Sequence, residues 1–245
     1  MIHDLIRRGG FAGLAMAGLM LAGCGDSGND ANAPASSGDA AATTADESAS
    51  SLAGGFAETV SAAEISEEGY ALGGISMGDP DAPVTVIEYA SMTCPACARF
   101  SEIVAPQLIE NYVATGQVRY EFRNFVMNQF DMAAAALARC KGPDQFFPIT
   151  DLLFSTQRQW LANASEPQKI ADDMATVARK AGISRTEFDR CISDRTLSRH
   201  LAEMTQAANA EWQIPGTPTV IVNGEMQGNE ALAYEGLSEA IEAEL

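Results

Sequence analysis

Positive charge is scarce in this sequence: 15 Lys and Arg stand against 33 Asp and Glu in 245 residues, for a net charge of −18. A surface of that sign does not suit nucleic acid, which is held by cations facing phosphates. Part of the acidic excess falls on solvated helix faces and in a linker, where it serves solubility. There are only 2 His and 5 Cys. No uninterrupted apolar run reaches the roughly 20 residues that a membrane-crossing helix needs. The apolar run from Gly9 to Leu21 has 13 residues. No internal repeat is visible.

That short run follows the basic flank Arg7-Arg8, which is a signal-peptide pattern. It ends in Leu21-Ala22-Gly23-Cys24, which looks like the bacterial lipobox, in which the cysteine is diacylated and becomes the new N-terminus. Ordinary signal cleavage would instead leave Cys24 as a stray exposed thiol, a liability in an exported chain. Acylation with more than one chain would anchor the protein stably, at about 0.8 kcal/mol per buried methylene. Residues 1–23 are thus expected to be a lipoprotein signal peptide and residues 24–70 a lipidated N-terminus and flexible linker. Removing 1–23 takes away Arg7, Arg8 and Asp4 and leaves a net charge of −19. From Gly25 to Ser51 there is neither an aromatic residue nor a leucine, so nothing can bury itself and the stretch reads as a tether. Residues 56–75 read as transitional, with a short helix around Phe56 to Ile65.

Beyond the tether, a hydrophobic content of 47% is enough to fill a core. Val84-Thr85-Val86-Ile87-Glu88-Tyr89-Ala90 is mostly apolar and β-branched, and it suits the middle of a sheet covered on both faces. A helix is expected to follow from Cys94 to about Thr115, kinked at Pro106, and then a second strand over 118–125. From Asp131 to about Trp212 the pattern is helical throughout. Helices are expected over 131–141, 145–161, 167–181, 185–194 and 196–211, the fourth opened by the capping box Ser184-x-x-Glu187. Strand character returns at Pro218 to Val222, turns at Asn223-Gly224, and gives way to a last amphipathic helix over about 232–245. The fold class is α/β, with domain parts 71–130 and 212–245 on either side of an all-helical insertion, 131–211.

Cys94-Pro95-Ala96-Cys97 sits where the first strand hands over to a helix. A tetrahedral zinc site needs two further ligands, and beyond the signal peptide only Cys140, Cys191 and His200 remain, none forming a second close pair. A purely structural disulfide across two residues would close almost no loop and stabilise little. Exchange chemistry explains the pair better. A thiol at a helix N-terminus faces unpaired N–H groups and the positive end of the helix dipole, which favour thiolate. Cys94 is then the attacking sulfur. Cys97, one turn further in, can attack a mixed disulfide formed at Cys94. Pro95 suits the first helical turn, and Ala96 adds neither charge nor hydrogen bond, so the thiolate depends on backbone donors. No cofactor is implied.

The stretch Gly78-Asp79-Pro80-Asp81-Ala82-Pro83-Val84 through Cys97, followed by Gly216-Thr217-Pro218-Thr219, resembles the DsbA-like branch of the thioredoxin superfamily, over roughly residues 70–245. The resemblance implies a thioredoxin fold with an inserted helical domain. It implies that Pro218 is a cis-proline lying against the active-site disulfide, and that Thr217 offers backbone groups to a substrate strand; a trans proline opening a strand is the alternative. Glu88, six residues before Cys94, matches the family's buried acid, which relays a proton for the resolving cysteine. An edge carboxylate or a salt bridge is the alternative there. The departure is Ala96, where strongly oxidising members commonly carry histidine, so a weaker oxidant is expected.

Cys140 and Cys191 both fall on apolar helix faces, and a structural disulfide between them is the natural pairing once Cys94 and Cys97 are taken together. It would close a loop of about 50 residues and stabilise by roughly 4 kcal/mol. Two buried free thiols and a second redox couple are the alternatives. The reading as a whole is an exported, monomeric dithiol oxidase, lipid-anchored in a bacterial envelope and facing the periplasm. It would act on the cysteines of secreted proteins and be reoxidised by a DsbB-like membrane partner. A reductase or isomerase of selected substrates, or a non-catalytic peptide- or metal-binding module, would use the same groove; for copper delivery Met92 is the only nearby methionine.

Overall fold

The computed structural model describes residues 61–245. The signal peptide, Cys24, the tether and the first half of the helix expected near Phe56 fall outside the described residues.

Six strands form one mixed sheet in the order β1-β2-β4-β3-β5-β6, comprising β1 (Ser61–Ile65), β2 (Ala71–Met77), β3 (Val84–Ala90), β4 (Val118–Asn124), β5 (Thr219–Val222) and β6 (Glu225–Met226). Only β3 and β4 run parallel; the other pairs are antiparallel. The apolar β3 is central, as its composition requires. Side chains alternate across a strand, so Val84, Val86 and Ala90 enter the main core with Phe100, whereas Ile87 and Tyr89 join a smaller cluster with Ala208, Ile214 and Ile221. Glu88 shares its face with Val86 and Ala90, the face that the following helix covers.

That helix, α1 (Pro95–Ile103), breaks at Val104, restarts as α2 (Ala105–Leu108) with Pro106 in its first turn, and ends in a π turn over Ile109–Val113. Proline explains the break, since it removes a backbone donor and crowds the preceding turn. Between β4 and β5 lie α3 (Gln129–Arg139), α4 (Phe146–Ser155), α5 (Gln157–Trp160), α6 (Pro167–Lys180), α7 (Arg185–Ile192) and α8 (Arg195–Trp212), and α9 (Tyr234–Glu242) follows β6. Both bonds of the capping box expected at Ser184 and Glu187 are present. A disulfide joins Cys140, at the end of α3, to Cys191 of α7, with Cα atoms 5.9 Å apart.

Arg139 fastens the insertion to the sheet. It is fully buried and has no carboxylate partner among the described residues; its guanidinium donates to Asn124 Oδ1 and to the carbonyls of Ala71 and Gly73. Burial lowers its pKa to about 9.

Three expectations need correction. Ser61–Ile65 is a strand, not part of a helix, so the sheet begins ten residues before the expected boundary at 71. Glu64 and Ile65 are exposed and Ala62 is partly buried against the core, and this edge strand pairs with β2. The helix expected over 145–161 is a 3-10 turn followed by two helices, divided at Thr156, whose hydroxyl donates to the Leu152 carbonyl. The final helix starts at Tyr234, after a 3-10 turn over Asn229–Leu232.

Candidate active site

Cys94 is the N-cap of α1. Its backbone is extended, at φ −82 and ψ 121, and Pro95 opens the helix. Half-buried, its Sγ lies 3.1 Å from the carbonyl oxygen of Thr217, and the Thr217–Pro218 bond is cis. The neutral thiol donates to that carbonyl. The thiolate is favoured by a hydrogen bond from the Cys97 thiol, opposed by partial burial, and further helped by Thr217 and by the N–H groups of Cys97 and Ala96, which bring the pKa of Cys94 down to about 5. These are the free donors of a helix start acting at short range.

Cys97 has no exposed surface. Burial raises its pKa far above the ordinary thiol range, and the hydrogen bond with Cys94 and the charges of Glu88 and Cys94 push the same way. One turn of helix thus separates a stabilised thiolate from a thiol that holds its proton.

Glu88 lies beneath them, 1% exposed. The Tyr120 phenol donates to its Oε2, and Oε1 has no protein partner. Burial raises its pKa to about 8, against the opposing effect of the Tyr120 hydrogen bond; the negative charges of Asp151 and Cys94 add to the rise. Its hydrogen bond comes from a neutral phenol on the neighbouring strand, not from a cation, and it is neither at a sheet edge nor in a salt bridge.

Two buried residues of the helical insertion hold the turn before Cys94. Asp131 accepts from the Met92 N–H at 2.7 Å and from the Met127 N–H at 2.8 Å. The Gln157 amide donates to the carbonyls of Met92 at 2.9 Å and Cys94 at 3.0 Å. Sequence reasoning singled out neither, nor Tyr120. A signal for Gln157 existed: it shares a face with Leu153 and Trp160, both buried, and a lone amide in an apolar stripe needs partners.

Beside the thiol, Ala96, Arg99, Phe100, Ile103, Pro218 and Tyr234 line a groove of ≈ 360 Å³. Among the described residues no group of three or more His, Cys, Asp or Glu is placed to hold a metal ion. Nor is any described helix long and apolar enough to cross a membrane.

Residues 71–243 match the family model described as Thioredoxin. A Rickettsia bellii protein, named provisionally as a protein-disulfide oxidoreductase, is 30% identical over 149 residues, covering 60% of this chain and 56% of that protein. The chain therefore spans little more than half the length of that curated relative. Disulfide bond formation protein D of Bacillus subtilis is 28% identical over 185 residues, covering 69% of this chain and 76% of that protein. Among solved structures, alpha-DsbA1 of Wolbachia pipientis aligns with a TM-score of 0.62 at 25% identity, covering 69% of this chain and 88% of its own. A protein-disulfide isomerase of Novosphingobium aromaticivorans aligns with a TM-score of 0.62 at 29% identity, covering 70% and 97%. The architecture is accordingly a thioredoxin fold with an inserted helical domain.

Proposed function

This chain belongs to the thioredoxin family, in its DsbA-like branch, and from that premise we propose that it is an exported thiol-disulfide oxidoreductase working mainly as a dithiol oxidase. The observation that carries the proposal is the asymmetry of the two sulfurs, with Cys94 at a pKa of about 5 and Cys97 fully buried with its pKa raised. A stabilised thiolate makes the reduced form favourable, and a protein whose reduced form is favoured oxidises others.

The steps follow from the geometry. A substrate thiolate attacks Cys94 Sγ, forming a mixed disulfide while the Cys94–Cys97 bond breaks. The electron pair leaves on Cys97 Sγ, which takes a proton from Glu88. A second substrate thiolate then attacks the substrate sulfur of the mixed disulfide, and Cys94 leaves as a thiolate. The protein is now reduced by two electrons and the substrate oxidised by two. Thr217 and Pro218 stand against the reacting sulfur, where a substrate backbone can lie along the Thr217 carbonyl. Reoxidation by a DsbB-like membrane partner would run the dithiol back to the disulfide.

Ala96 supports a milder potential than a histidine would give, which favours a reductase or isomerase as the second reading. The two part on the reduction potential of the Cys94–Cys97 pair, measured against glutathione. The oxidase predicts a value well above that of thioredoxin, toward the DsbA end of a scale running from about −270 to about −120 mV. A value near the thioredoxin end would overturn it.

Export and anchoring rest on the Leu21-Ala22-Gly23-Cys24 motif. Cys24→Ser is expected to abolish labelling by a radioactive fatty acid and to move the protein out of the membrane fraction. Unchanged labelling would refute the anchor.

A further inference from the structure

The oxidase steps require Glu88 to give up a proton and regain it in every cycle, yet Cys97 and Glu88 are both buried. Tyr120 occupies Oε2 from β4, itself buried and with a pKa raised well above its usual range, so it is a fixed donor and not a proton source. The acid's other oxygen, Oε1, has no protein partner.

Glu88 lines a cavity of ≈ 40 Å³. Apolar side chains make most of its wall, and the residues with polar side-chain atoms in its lining are Glu88, Ser101, Tyr120, Thr150 and Asp151. Thr150 is 2% exposed and its Oγ1 also lacks any protein partner, so two residues that each carry an orphaned buried oxygen line one small space. A water molecule needs roughly 10–15 Å³ and two to four polar partners, and the cavity offers both. Asp151, the next residue on α4, lines the same cavity and is solvent-exposed, with its Oδ1 accepting from Ser101 Oγ of α1 at 3.2 Å.

We infer that this cavity holds water bridging Glu88 to Thr150, and that it is the route by which the buried carboxyl exchanges its proton with solvent, with Thr150 and Asp151 as positioning residues along it. The inference rests on the reading of Glu88 as proton donor and acceptor for Cys97. In the oxidising half-reaction Glu88 gives its proton to Cys97 Sγ and is reprotonated from the surface through the Thr150 hydroxyl and the bridging water. In reoxidation Cys97 returns the proton to Glu88, and it leaves by the same path. The ionisable groups around Glu88 are Tyr120 from β4, Cys97 and Cys94 from α1, and Asp151 from α4. Of these Asp151 alone is open to water without being a reacting sulfur.

The test is the rate at which Cys97 attacks a Cys94–glutathione mixed disulfide, formed by rapid mixing of the reduced protein with oxidised glutathione and followed against pH. Thr150→Val, which keeps the shape and removes the hydroxyl, is expected to slow this step about tenfold near pH 7, and Thr150→Ser to restore it. Asp151→Asn removes a charge that raises the pKa of Glu88, so it should shift the limb of the profile governed by Glu88 to lower pH. The thiolate absorbance titration of Cys94 should stay unchanged in all three, which a general loosening of the site would not allow. A wild-type rate and profile in both Thr150→Val and Asp151→Asn would overturn the water route. If Glu88→Gln is then slow, the relay stands and only its route falls; if Glu88→Gln is also fast, the relay itself falls.

Discussion

Cys94 and Cys97 carry the same side chain, and one turn of helix decides their chemistry. The first sits where backbone N–H groups are unpaired, and the second where burial denies a charge any solvation. Iodoacetamide should therefore alkylate Cys94 with a half-maximal rate near pH 5 and a plateau through neutrality, while Cys97 stays unlabelled until the protein is denatured. A midpoint near that of a free thiol, about 8.5, would contradict the site as described. The sign for stability follows from the same shift. The folded pKa of Cys94 lies below the unfolded one, so the reduced protein gains stability as pH rises from about 5 toward 8.5 and loses it as pH falls through 5. Glu88 runs the other way. Its folded pKa of about 8 exceeds its ordinary value of 4.5, so the folded state keeps a proton that the unfolded state has released, and stability drains away as pH rises between those two values. Glu88→Gln should be more stable than the native protein at pH 8, by an amount that shrinks toward pH 4, in urea titrations at each pH. Glu88 was legible through the family resemblance, as an acid six residues before Cys94 on an apolar strand, and the structure decides between a buried acid and an edge or ion-paired carboxylate. Asp131 and Gln157 were not, because the groups they hold are 39 and 65 residues away at Met92.

At the scale of elements, what could be read in advance is what the chain decides locally. The Ser184 capping box closes within four residues, and Asn223-Gly224 supplies two successive positive φ angles, 45 and 85, for the β5–β6 hairpin. The π turn after α2 and the strand β1 depend on what lies beside them, and no periodicity announces either. The Cys140–Cys191 bridge lies between these cases, since apolar faces suggested the pairing and packing of α3 against α7 realises it. Removing it by Cys140→Ala together with Cys191→Ala should cost roughly 4 kcal/mol by the chain-entropy argument, read as a lower urea midpoint. The Cys94 titration should be untouched, because the bridge ties two helices of the insertion and does not reach the active-site turn. A shift in the Cys94 pKa in that variant would mean that the staple also tensions Asp131 on α3.

For the molecule as a whole, folding and redox state are linked. What stabilises the Cys94 thiolate in the folded protein stabilises the reduced form over the disulfide form, and the reduction potential reports that difference. The plan that makes this possible was visible in the chain: strand character stops near residue 125, a helical block intervenes, and strand character returns with Thr217-Pro218 opposite the cysteines. The path behind Glu88 was not visible, because β3, β4, α1 and α4 must all be in place before the cavity exists. The proton count ties this plan to a measurable slope. Above pH 5 the reduced state holds Cys94 as thiolate and Cys97 as thiol, so two electrons arrive with one proton, and the potential should fall by about 30 mV per pH unit. Below pH 5 both sulfurs are protonated, and the slope should double to about 60 mV per unit. Glu88 adds a further bend. Its pKa is raised in part by the negative charge on Cys94, a charge the disulfide form does not carry, so reduction takes up an additional fraction of a proton as the pH nears 8. Glu88→Gln should remove that bend and leave the break near pH 5 in place. A uniform slope of about 60 mV per unit from pH 5 to 8 would mean that Cys94 is not a thiolate in the working range, and the oxidase reading would lose its physical basis.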